Sequence, residues 1–165
     1  MNSYVVLLLA YAQIAATLTG FIGVVFVLGE RADGRLTTNE ASAVFHLLFS
    51  ALCALFISLL AGLLLVALET NEHLAWRIAN GLSGIVHLVG ASRAALETRH
   101  GTSGFDRASI PTLAIGFTVA TANFVIAASY HANLEAPVFM VATLWTLGVT
   151  VISFVALLMT TRPAK

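Results

Sequence analysis

Two histidines and a set of amides and hydroxyls are the residues of this 165-residue chain able to do chemistry inside an apolar phase. His87 lies in WRIANGLSGIVHLVGASR (76–93), between Arg77 and Arg93, and His46 lies in NEASAVFHLLFS (39–50). A pair of imidazoles can share a proton, bind a metal or hold a haem iron from both faces. Around them, polar and small residues recur at helical spacing. Gln13, Ala16, Thr17 and Gly20 form one stripe; Ser42, His46, Ser50 and Cys53 a second; Arg77, Asn80, Gly84 and His87, with Gly81 adjacent, a third. Thr112, Gly116, Asn123 and Tyr130 form a fourth, and Thr143, Thr146, Thr150 and Ser153 a fifth. In lipid a polar side chain must face protein, water or its own backbone, so each stripe marks a face turned away from lipid. Small and hydroxylated residues are also the usual contacts of membrane-helix packing. That reading suffices for Ala16, Gly20, Gly81, Gly84, Thr112 and Gly116. The hydroxyl ladder of 143–153, and the amides Gln13, Asn80 and Asn123, are candidates for the lining of a hydrated path, with His87 as a candidate gate.

The elements that must position these residues are long apolar helices. The chain is 59% hydrophobic and 10% charged, with a mean hydropathy of +0.93. No Asp, Glu, Lys or Arg occurs in residues 1–29, 41–68, 108–134 or 136–161. About 20 apolar residues cross the hydrocarbon core as a helix, and none of these runs shows the alternation of a barrel strand. The expected fold is an all-α integral membrane protein, a single five-helix transmembrane domain with spans near 4–28, 41–67, 74–93, 111–131 and 137–160. The first run has no basic lead and is too long for a cleaved signal, so it reads as a retained helix.

Charge sets the expected orientation. With five spans, Arg31, Arg35, Arg93, Arg99, Arg107, Arg162 and Lys165 fall on one side and Arg77 on the other. Lys and Arg govern topology, which places the N-terminus outside and the C-terminus in the cytoplasm of a bacterial-type inner membrane. If 74–93 lay flat, four spans would remain and the bias would weaken. Arg77 and Arg93 sit at the ends of that stretch, where long stems carry the charge to the interface. On this topology His46 and His87 lie at similar depth in the inner leaflet. His73 and His100 fall in loops, and His131 at an interface. Thr37 and Glu40 have capping-box spacing, Pro111 and Pro137 suit the first turns of the last two spans, and RAALETR predicts that the third helix continues past Arg93.

GRLTTNEASAVF (34–45), with Arg35 and Asn39 entering the second helix, resembles the Arg-x-x-x-Asn element of the membrane-associated eicosanoid and glutathione metabolism proteins. Those are four-span proteins of similar size that trimerise through helix two. Their pattern has an acidic residue three places after the Asn. Here position 42 is serine and Glu40 follows the Asn directly, so no site residue carries over.

Several functions lose ground. Net charge is zero and there is no basic tract, which argues against nucleic acid. One cysteine, Cys53, leaves no intrachain disulfide. No acidic residue lies inside the spans as drawn, unlike most proton-coupled pumps. The expected function is a homo-oligomeric channel or channel-like permeation protein whose surroundings are the lipid bilayer and which requires no cofactor. The alternative is a non-catalytic membrane subunit of a larger assembly, with a haem between His46 and His87. Third comes a small membrane enzyme, with Arg31, Arg35 and Arg93 around a lipid-facing cleft.

Overall fold

The computed structural model describes residues 3–33, 38–100, 110–129 and 131–160. Among them are five helices and no strand: α1 (Ser3–Asp33), α2 (Thr38–Ala67), α3 (Glu72–His100), α4 (Ile110–Ala128) and α5 (Ala132–Thr160). Four carry stretches long and apolar enough to cross a membrane, namely Ser3–Val27, Val44–Ala67, Pro111–Ala128 and Asn133–Val155. α3 is not one of the four.

Local chemistry explains most of the boundaries. Asn71 caps α3, its Oδ1 accepting the Leu74 N–H at 3.1 Å, which satisfies one of the donors a helix start leaves open. α3 then runs on to His100, as the composition of RAALETR predicts. Pro111 sits in the first turn of α4, as expected. Pro137 does not open α5: the helix begins at Ala132, and Pro137 lies inside it. The proline has no N–H to give to the carbonyl of residue 133, but a helix tolerates this within its first turns. The earlier start brings Glu135 into the first turn of α5. Likewise His73, expected in a loop, belongs to α3. Arg35, Thr37 and residues 101–109 lie outside the described residues, as do the side chains of Arg31, Asn39, Glu40 and Ser42.

Packing alternates the helix directions. Leu8 of α1 meets Ala61 and Leu65 of α2, Ala15 meets Ala54, and Ile22 meets Val44 and Leu47, so the two helices are antiparallel. Phe139 and Met140, then Leu147, then Phe154 of α5 join the same three clusters in order, so α5 runs parallel to α1. The middle cluster holds Ala15, Ala54 and Leu147; its alanines let the α1 and α2 backbones approach. α4 lies antiparallel to α3, with Phe124 against Gly84 and Ala91 against Gly116. The Arg77 Nε donates to the Ala127 carbonyl at 2.8 Å, satisfying a carbonyl in the last turn of α4.

The outward surface is apolar. Ile152 is 70% exposed, Phe56 64% and Leu63 64%, amid many other exposed large aliphatic and aromatic side chains. A water-soluble surface does not carry apolar patches of this extent, and a hydrocarbon solvent covers them without cost.

The α3–α4 contact provides a test. A Cβ on Gly84 would stand 3.1 Å from the Phe124 ring, whereas a Cβ on Gly81 would meet only the Ala127 Cβ at 3.9 Å. Gly84→Leu should therefore destabilise the protein by about 1–3 kcal/mol, Phe124→Ala in the same chain should restore part of the loss, and Gly81→Ala should be near neutral. Thermal unfolding in detergent reads all three, and equal melting of Gly84→Leu and wild type would contradict the contact.

Candidate functional site: a polar line along α3 and α5

Polar side chains turn inward at the junction of α2, α3 and α5. The line starts at the end of the bundle where α3 and α5 begin. There the Glu135 carboxylate is 1% exposed and its Oε2 lies 3.0 Å from Nδ1 of His73, itself 60% exposed. The first turn of a helix favours such a carboxylate. Beside it, Asn80 is fully buried and its amide nitrogen donates twice, to the Trp76 carbonyl at 2.8 Å and the Glu135 carbonyl at 2.9 Å. That fork ties α3 to the start of α5. The Asn80 Oδ1 has no hydrogen-bond partner.

Further along, His87 joins the two helices again. Its Nδ1 lies 2.8 Å from the Ser83 carbonyl and 3.4 Å from the Ser83 hydroxyl; its Nε2 lies 2.9 Å from the Thr146 Oγ1. A carbonyl only accepts, so in the neutral ring Nδ1 carries the hydrogen and Nε2 accepts from Thr146. The Thr146 hydroxyl also lies 3.1 Å from the Ala142 carbonyl, so its single hydrogen has two competing acceptors. One turn on, Thr150 donates to the Thr146 carbonyl at 2.8 Å and its hydroxyl is hydrogen-bonded to that of Ser50 of α2. Thr143, also buried, returns its hydroxyl to the Phe139 carbonyl at 3.0 Å.

The structure thus unites Asn80, His87, Thr146 and Thr150 with four residues the expected site lacked: His73, Glu135, Ser83 and Ser50. Ser50 was legible as a member of the α2 stripe. Glu135 was hidden because Pro137 resembles a helix start, and His73 because the apolar stretch of the third helix begins only after it. Ser153 is half-buried on α5, beyond Thr150. Asn123 is fully buried on α4; its nitrogen donates to the Val119 carbonyl at 2.8 Å and its Oδ1 is unpartnered. It lines an apolar cleft of about 210 Å³ with Val119, Ala122, Pro137, Val138, Val141 and Ala142.

Gln13 stands apart from the line. It is exposed on the outer face of α1, and so are Ala16, Thr17 and Gly20. A Cβ on Gly20 would meet nothing within 4 Å. His46 packs its ring edge-on against Phe45, with centroids 6.2 Å apart. Both His87 nitrogens are occupied as described, and no group of three or more His, Cys, Asp and Glu with metal-holding geometry occurs among the described residues. Arg93 holds its guanidinium 5.1 Å from the Phe45 ring centroid, linking α3 to α2 near the far end.

Fold and site together define an all-helical bundle, four of whose helices are able to cross a membrane, with an internal polar line. The chain matches no protein-family model, and no curated protein or solved structure is similar to it.

The Asn80 fork can be tested directly. Asn80→Ala removes both side-chain bonds, including the one that ties α3 to the Glu135 carbonyl, a loss of about 1–3 kcal/mol. Detergent unfolding should show this as a lowered Tm, while His73→Ala, at the exposed rim, should cost less. The reverse order would mean that the outer pair, not the fork, holds α3 to α5.

Proposed function

We propose that this protein is a homo-oligomeric, channel-like permeation protein of a bacterial-type inner membrane, with five spans, the N-terminus outside and the C-terminus in the cytoplasm. The observation that carries the reading is the buried polar line itself. Hydroxyls, an imidazole, an amide and a carboxylate are gathered along α3 and α5 in a bundle whose outer surface is apolar. Polar groups in a membrane interior are costly and mark pathways or sites more often than scaffolding.

Support for α3 as the fifth span comes from its two faces. Ile78, Leu82, Ile85 and Val89 are exposed and apolar, while Asn80, Ser83 and His87 face inward. Its mean hydropathy is lowered by the inward polar groups and by the charged residues at its two ends, while between Arg77 and Arg93 its exposed side chains are largely apolar. Arg77 and Arg93 are 16 positions apart, about 24 Å along a helix, so both can reach opposite interfaces. The seven-to-one distribution of Lys and Arg supports the orientation.

Self-association is supported by α1. Ala16 and Gly20 have the small-xxx-small spacing of packed membrane helices. Gln13 lies one turn away on the same exposed face, where a second chain would spare its amide the contact with lipid. A haem between His46 and His87, the alternative, would require His87 to give up its bond to Thr146.

Native mass spectrometry and flux assays in liposomes test the proposal together. The expected result is a symmetric oligomer without added mass, collapse of an imposed ion gradient, and flux reduced about tenfold or more by Thr150→Val with the oligomer intact. Gln13→Leu combined with Gly20→Leu should weaken the oligomer. A silent oligomer in liposomes would overturn permeation. A haem-sized mass with a visible absorption band that His87→Ala removes would establish the alternative.

A further inference from the structure

We propose that the species carried along the line is the proton, with His87 as the group that takes it up and hands it on; the inference rests on the permeation reading above. The line is made of groups that exchange protons: the Glu135 carboxylate, the Ser83, Thr143, Thr146, Thr150 and Ser50 hydroxyls, and the His87 imidazole. Asn80, Ser83, Thr143 and Thr150 are all buried by the packing of α2, α3 and α5. A hydrated metal ion or anion needs a lumen, but a proton needs only neighbours that both donate and accept.

The ring of His87 is held for a relay. One nitrogen faces Ser83 on its own helix and the other faces Thr146 on α5. In the neutral state Nδ1–H donates to the Ser83 carbonyl and the Thr146 hydroxyl donates to Nε2. A proton delivered to Nε2 makes the imidazolium. Nε2–H then donates to the Thr146 oxygen, whose own hydrogen turns to the Ala142 carbonyl at 3.1 Å. The Nδ1 proton then passes to the Ser83 Oγ, 3.4 Å away, as that hydroxyl releases its own hydrogen to a water. The ring is left neutral with its hydrogen on Nε2, and a ring flip restores the starting tautomer, one proton moved and none consumed. The reverse sequence carries it the other way.

Both ends of the line carry groups that take up and release protons. At one end, exposed His73 bonds to buried Glu135. At the other, Ser50 joins Thr150, and His46 lies one turn beyond Ser50 on α2. The side-chain links between these ends are His73–Glu135, Ser83–His87–Thr146 and Thr150–Ser50, with Thr143 turned to the Phe139 carbonyl, so carriage along the whole line requires water to join the three. The titratable groups on the helices packed against α3 are Glu40, His46 and Cys53 of α2 and Glu135 of α5, with none on α4. Arg77 and Arg93 of α3 itself are engaged at its two ends by Ala127 and Phe45. No fixed charge therefore stands along α3 between Arg77 and Arg93.

The test uses the full chain in phosphatidylethanolamine–phosphatidylglycerol vesicles containing a pH-sensitive dye, with a potassium diffusion potential set by valinomycin. Wild type should acidify the lumen. His87→Ala should slow acidification about tenfold or more, as expected for loss of an intramembrane relay group. Thr146→Val, which keeps the shape and removes the hydroxyl, should slow it as well, and serves if His87→Ala fails to assemble. Native mass spectrometry confirms the oligomer for each variant. Transport of potassium or chloride without protons would overturn the proton assignment and leave permeation standing. No transport of any of the three would overturn both. Unchanged proton flux in assembled His87→Ala or Thr146→Val would overturn the role of His87.

Discussion

α5 is the one helix in contact with all four others among the described residues, and the bundle is organised around that placement. A central helix cannot present lipid-like side chains on every face and still fix its neighbours. It therefore meets α1 and α2 through Phe139, Leu147 and Phe154, and meets α3 through hydrogen bonds. The α1–α2 and α3–α4 pairs are antiparallel hairpins packed against it from different sides. Because α3 and α5 run parallel, residues at matching heights can bond repeatedly: Asn80 to the Glu135 carbonyl, His87 to Thr146.

The division between apolar exterior and polar interior follows from the solvent. With hydrocarbon outside, burying an aliphatic side chain gains little, so helices associate through small-residue contact and hydrogen bonds instead. Both are visible here. Gly84 receives the Phe124 ring, Gly116 receives Ala91, and Ala15 faces Ala54. Most inward hydroxyls are bonded to the carbonyl one turn back, which costs no tertiary partner. Among the described residues, the buried groups left short of partners, the Oδ1 atoms of Asn80 and Asn123 and the hydroxyls of Ser58 and Ser129, are the exceptions.

α3 differs from the four apolar helices in how its polarity is distributed. Between Arg77 and Arg93 its exposed side chains are largely apolar, while its inward face carries the amide, the imidazole and the serine of the polar line. The same inward residues lower its mean hydropathy below that of its neighbours. Its arginines add to the effect although both lie at its ends, one on the last turn of α4 and one over an aromatic ring of α2.

The sequence by itself determined the helices and their stripes, because charge-free runs set the lengths and helical spacing set the faces. Thr143, Thr146 and Thr150 were legible as one inward ladder, and Asn80 and His87 as one inward face, from spacing alone. Tertiary structure decided what those faces meet. Whether His87 pairs with His46 or Thr146 depends on which helix lies beside α3, and no spacing within a helix encodes its neighbour. Glu135 stayed hidden because Pro137 resembles a helix start, while α5 begins at Ala132, five residues earlier; His73 stayed hidden because α3 begins at Glu72, ahead of its apolar stretch. Gln13 is the converse case: an inward-looking stripe by type, turned outward because α1 docks on α2 through its opposite, more apolar face.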